Sequence, residues 1–191
     1  MSDFPSDIFT EPQGYSVNTL EQLGPLTGMA GIWEGIRGLD VKPKAEGPKK
    51  QAYVERIELQ PIDPQTNGPQ LFYGLRYHTH ITKPDQVKTY HDQVGYWLWE
   101  PATGKAAPNA KQFELFAKED DRCAGISSNP FLDYAFRTVE FRIQVSIHDD
   151  GTWSYEQDTV MKIKDQVELF HHVDNNTLHK IGEATPNPLA R

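Results

Sequence analysis

The sequence predicts an all-β protein: an antiparallel β-barrel or sandwich with a short N-terminal helix. Three observations predict it. Residues 138–163, "TVEFRIQVSIHDDGTWSYEQDTVMKI", alternate apolar and polar on both sides of an Asp-Asp-Gly turn, the period-two signature of paired strands. Residues 73–101, "YGLRYHTHITKPDQVKTYHDQVGYWLWEP", form a second hairpin candidate with aromatic residues on both faces, which suits a wall between a cavity and its surroundings. Short strands with intervening turns fill most of the chain beyond residue 31, and closing them into a barrel removes exposed edges.

Each element follows in order. Residues 1–16 read as a flexible leader, rich in Pro, Ser and Asp, and residues 17–191 as one barrel domain. The 191-residue chain fits a single domain of ~100–200 residues. "SVNTLEQLGPLTGMAG", 16–31, has room for a short helix before its glycines stop it. "QAYVERIELQPI", 51–62, and "FELFAKED", 113–120, are strands. In the 138–163 hairpin, a two-residue turn would set Ile147 against Ser154 and mix core with solvent. A three-residue loop, Asp149-Asp150-Gly151, instead pairs Ile147 with Trp153, Val145 with Tyr155 and Val139 with Met161, with Gly151 at positive φ. "VDNNTLHKIGEA", 173–184, offers a turn and a last strand.

Composition bounds the partners. Hydrophobic residues make up 37% and charged residues 24%, with a formal charge of −8 and a pI near 5.3. That acidity disfavours nucleic acid and anionic membrane surfaces. No run is long enough for a membrane-spanning helix. Cys123, the one cysteine, allows no intrachain disulfide. The acidic opening has no apolar core of a secretory signal, so cytoplasm is the expected location.

The 73–101 hairpin, taken with Asp85-Gln86 at its tip, sets His80 against His91, His78 against Gln93 and Phe72 against Trp99. One face then carries Phe72, Arg76, His78, Trp97 and Trp99, the expected ligand-binding wall; Trp33, set between glycines, either joins it or packs as a plug over one end of the barrel. Arg76 and His78 would supply the polar end of an aromatic pocket, with Arg76 able to clamp an anion. His80 and His91 fall near the turn and read as solvent-facing. The His78-x-His80 spacing also suits a metal, with His91 as third ligand, but the glutamate that a cupin site needs soon afterwards is missing.

"PLTGMAGIWEGIRG", 25–38, carries Pro25, Leu26, Thr27, Met29, Gly31, Trp33 and Gly35 in the order in which nitrobindin-like haem-binding β-barrels open. "HDQVGYWLWEPATG", 91–104, is similar to their middle strand. "SSNPFLDYAFRTVEF" and "YEQDTVMKIKDQVELFHHVDNNTL" resemble a bacterial branch of the same barrels. This resemblance, over about residues 20–182, implies an antiparallel up-and-down β-barrel of calycin type, with about ten strands or slightly fewer, related to fatty-acid-binding proteins. It implies ferric haem at the mouth, held by one histidine near the C-terminal end, and peroxynitrite isomerised to nitrate. The implied iron ligand is His171 or His172, with His179 behind them. Adjacent residues on a strand face opposite ways, so at most one of the pair sees the cavity, and Asp174 is placed to orient it. Relatives carry further strand after "GYWLWEPATG"; here "KAAPNAKQFELF" follows at once, which raises a gap in the barrel.

The functional expectation is a small-molecule-binding barrel for a hydrophobic ligand with a polar end, fatty-acid-like or haem, the alternative being a haem-dependent peroxynitrite isomerase. No catalytic residue is assigned, and a homodimer stays open.

Overall fold

A computed structural model describes residues 6–104 and 106–186. Nine strands make one antiparallel sheet: β1 (Gly31–Lys42), β2 (Lys49–Pro61), β3 (Gln65–Asn67), β4 (Gln70–Thr82), β5 (Thr89–Trp99), β6 (Gln112–Lys118), β7 (Phe136–Ile147), β8 (Trp153–Ile163) and β9 (Phe170–Gly182). The main path runs β5-β4-β2-β1-β9-β8-β7-β6, and β3 pairs with the start of β4 beyond the end of β2. The curled sheet is a barrel that does not close. The edges of β5 and β6 are not hydrogen-bonded to each other, and this is where the resemblance raised a gap. Side chains bridge the seam: the rings of Trp97 and Phe113 meet edge-on at 6.3 Å.

One barrel end is plugged. The expected N-terminal helix is two 3-10 turns, Thr19–Glu21 and Gly24–Met29, because Gly24, Pro25 and Gly28 interrupt any longer helix. They bury Leu23, Leu26 and Met29 against Trp33, Leu59, Leu75, Trp153 and Leu178. The Trp33 indole donates to the Met29 carbonyl at 2.7 Å and stands edge-on to Trp153 at 6.2 Å. The end of the leader and the first turn rest on the same end, where the Ser16 carbonyl accepts from the Tyr73 hydroxyl and the Thr19 hydroxyl donates to the Ile62 carbonyl at 2.6 Å. Residues 1–5 of the expected leader lie outside the described residues.

The β7–β8 hairpin has the three-residue loop that its pattern demands. Ile147 pairs with Trp153 and Val145 with Tyr155, and Gly151 sits at φ 82°. Farther from the turn, a bulge at Val139 pairs Thr138, not Val139, with Met161. The turn expected at Val173–Asn176 is absent. β9 runs straight through it, because β1 and β8 pair with these residues on either side. One helix of a single turn, α1 (Pro130–Ala135), precedes β7, and the Asn129 side chain caps it by accepting from the amides of Phe131 and Leu132. Among the described residues no helix is long and apolar enough to cross a membrane.

The β4–β5 hairpin corrects the expected faces. Thr82 pairs with Thr89, as the Asp85-Gln86 tip requires, but the next pair is Ile81 with His91. Tyr90 is an extra residue in β5, and a one-residue bulge inverts every later side chain. Leu75 therefore faces Trp97, Tyr77 faces Gly95, and Thr79 faces Gln93. These residues turn inward, while Arg76, His78 and His80 turn outward with Asp92 and Tyr96.

Candidate functional site

The sheet encloses a cavity of about 1110 Å³, at the upper end of the ~300–1,000 Å³ typical of small-molecule sites. Toward the plug its wall is apolar: Leu26, Ile57, Trp97, Phe113, Phe141, Ile143 and Trp153. Toward the far end it is polar: Asp40, Tyr90, His91, Gln93, His172 and Asp174. Between them stand Tyr53, Glu55 and Tyr155. No arginine or lysine lines it among the described residues.

Asp40 organises the polar mouth. It is 3% exposed on β1, which reaches it after a bulge between Gly35 and Gly38. Its Oδ1 accepts from His172 Nε2 at 2.9 Å, and its Oδ2 accepts from the Tyr90 hydroxyl at 2.6 Å and pairs with Lys42 Nζ at 3.1 Å. Tyr90 also meets the Lys42 ammonium. The β5 bulge that inverted the hairpin is what presents Tyr90 here. Burial pushes the Asp40 carboxyl up, but its bonds to His172, Tyr90 and Lys42 outweigh burial and hold it at about 2. The bond to Asp40 raises His172 against the opposing effect of burial. Asp174, 3.6 Å from His172 Nε2, is pushed up to about 6, chiefly by burial.

Asp40, His172 and Asp174 place their ligand atoms within 4.8 Å of one another. They do not make a bare cation site: both Asp40 oxygens are taken, one of them by an ammonium group that would repel the ion. His172 is a different matter. One ring nitrogen is held by a buried carboxylate, and Nδ1 makes no hydrogen bond among the described residues. A carboxylate on one imidazole nitrogen with the other free is how metal-ligating histidines are oriented. The orienting partner is chiefly Asp40, with Asp174 farther off.

The expected site residues separate cleanly. Phe72, Trp97, Trp99 and His172 line the cavity. Trp33 does not; it is plug core, 2% exposed beneath the apolar floor. Arg76 and His78 are on the outer surface, a correction that follows from the Tyr90 bulge. His78 Nε2 and His80 Nδ1 there share the Asp92 carboxylate at 3.0 and 3.3 Å. His171 also faces out and bonds Asp158 at 2.7 Å, and His179 is exposed. His91, expected in solvent, is exposed but lines the mouth. Asp40, Glu55, Tyr53, Tyr90 and Tyr155 escaped sequence reading. An inward glutamate between Tyr53 and Ile57 in an alternating strand was the one available signal. Asp40 and Tyr90 gave none, because bulges set their direction.

Residues 22–113 match the family model of the THAP4-like, heme-binding beta-barrel domain. This is a nitrobindin-like barrel family, as the Pro25–Gly35 motif resembles, and the match runs from before β1 to the start of β6. His172 and the whole of β7–β9 lie outside it. No curated protein matches the chain significantly.

Proposed function

From the match of residues 22–113 to a heme-binding barrel family, we propose that this chain binds haem, or a similarly flat hydrophobic molecule, inside the barrel, with His172 as the iron ligand. The observation that carries the proposal is the pairing of His172 with buried Asp40 at the polar rim of an otherwise aromatic cavity. The donor set fits: of the two histidines that line the cavity, His91 is exposed and bonds Gln93, whereas His172 has one nitrogen held by a buried carboxylate and the other free. His172 would hold the iron, Asp40 would fix the ring, and Trp97, Phe113, Phe141 and Trp153 would exclude water from the face of the ligand. Bound haem would supply the iron chemistry, which includes the isomerisation of peroxynitrite to nitrate that the family resemblance implies.

A fatty-acid-like carboxylate suits this cavity less well. With Arg76 outside, its head would meet Asp40, Glu55 and Asp174, and the ammonium at the mouth, Lys42, is already paired with Asp40; an unpaired buried charge is costly. Titration of the purified chain with hemin tests the proposal. A Soret band that saturates at one equivalent supports it, and a spectrum equal to free hemin removes it. Stopped-flow decay of peroxynitrite with the loaded protein then tests the isomerase activity.

A further inference from the structure

Midway down the cavity, Glu55 is 3% exposed and belongs to a chain of contacts that the mouth cluster does not use. The Tyr53 hydroxyl lies 3.1 Å from the Asn175 carbonyl, 2.8 Å separates the hydroxyls of Tyr53 and Tyr155, and Tyr155 lies 2.8 Å from Glu55 Oε2. Three hydrogen bonds in a row need three protons. The Asn175 carbonyl has none to give, and the two phenols have one each. If all three contacts are hydrogen bonds, the third proton sits on Glu55. With the acid protonated at Oε2, the chain runs one way: Glu55 donates to Tyr155, Tyr155 to Tyr53, and Tyr53 to Asn175. Oε2 still accepts from Asn176 Nδ2 at 3.0 Å. An ionised Glu55 would leave one of the three contacts without a proton.

The surroundings agree. Burial is the largest influence on Glu55 and raises its pKa, and the negative charge of Asp174 on β9 acts the same way. The opposing groups are Asn176, Tyr155 and the His91 imidazole on β5. A carboxylic acid kept neutral by an apolar site is a usable hydrogen-bonding group. Glu55 lines the cavity, and its Oε1 takes no hydrogen bond from a described residue. It is a free carbonyl acceptor on the wall.

We propose that Glu55 is a neutral acid whose Oε1 accepts an N–H or O–H from the ligand, so that the cavity selects hydrophobic molecules with an uncharged donor group over the corresponding carboxylates. This rests on the reading of the barrel as a small-molecule site, but not on haem. A carboxylate in the same place would offer no proton to Oε1 and would sit among Asp40, Asp174 and Glu55.

The test pairs 1-aminoanthracene, uncharged at neutral pH, with anthracene-1-carboxylate, each titrated by fluorescence into the full chain at pH 7.5. One satisfied hydrogen bond in a dry wall corresponds to about tenfold in affinity, so the amine is expected to bind at least about tenfold tighter. Glu55→Leu should abolish the preference, and Glu55→Gln, which keeps a carbonyl acceptor, should retain most of it. Infrared difference spectra of wild type minus Glu55→Gln at pH 7.5 should contain a protonated-acid carbonyl stretch, a readout that needs no ligand and only the conservative variant. An ionised carboxylate signature in its place, equal or tighter binding of the carboxylate, or binding of neither probe would overturn the proposal. Hemin binding separates the two readings: its loss beside a preserved amine preference removes haem alone.

Discussion

Replacing Asp40 with Asn removes the charge that organises the cavity mouth while keeping its shape. The carboxyl drops from 3.8 to about 2 on folding, and at ~1.36 kcal/mol per pKa unit that is roughly 2–3 kcal/mol of stability. The Asp40 side chain is 4% exposed, so solvent screening removes little of it. The sign is that of a depressed acid. The contribution is complete well above 3.8 and disappears as pH falls through about 2. Urea denaturation should therefore give a wild-type advantage of about 2–3 kcal/mol at pH 7, falling to roughly half at pH 3. His172 supplies a second readout. Its imidazole is raised by this carboxylate, so in Asp40→Asn its NMR titration should move down toward 6.5, the ordinary value. The raised imidazole adds stability that is complete below that value and fades as pH rises through its folded pKa. A gap under about 0.5 kcal/mol at pH 7, or one that does not change between pH 7 and 3, would refute the claim that Asp40 is a paired, buried anion.

Three further outcomes follow from the same geometry. Asp174 is raised to about 6, so the wild type should lose stability as pH climbs from 3.8 to 6; Asp174→Asn should flatten that slope and gain about 2–3 kcal/mol at neutral pH, read by denaturation at both ends. A methyl group added at Gly38 would fall 2.2–2.4 Å from the Tyr53 ring, so Gly38→Ala should displace Tyr53 and cost about 1–3 kcal/mol, seen as a lowered Tm. Arg76→Ala, on the outer face, should leave hemin affinity within about twofold, measured by absorbance titration.

Strand content and barrel class were legible because period-two alternation survives wherever one face is buried. The β7–β8 loop could be derived outright: only a three-residue connection keeps Ile147 and Trp153 on one side. The gap between β5 and β6 was raised by the resemblance alone, which implies further strand after Gly104. The site was harder. The choice between Arg76 and Tyr77 as the inward residue hangs on a single bulged residue, Tyr90, and nothing in "KTYHDQ" signals it. The bulge between Gly35 and Gly38 hides Asp40 in the same way, although two glycines close together in a strand are a hint. The "VDNN" turn was misread because Asp and Asn favour turns locally; pairing with β1 and β8 overrides that preference. The α1 turn announced itself in Asn129 followed by Pro130, a capping residue and a first-position proline, and was overlooked within a strand-rich stretch. That His171 and His172 face opposite ways was readable from the strand alone; which of them faces in was not.

The role of His172 as iron ligand is tested most directly by one comparison: hemin titrated in parallel into wild type, His172→Ala, His171→Ala and His91→Ala, with the Soret region recorded at each addition. The expected result is a saturating band in wild type and His171→Ala, its loss in His172→Ala, and its retention in His91→Ala. A band that survives in His172→Ala and vanishes in either other variant would contradict the assignment, and the absence of a band in wild type would contradict haem binding itself.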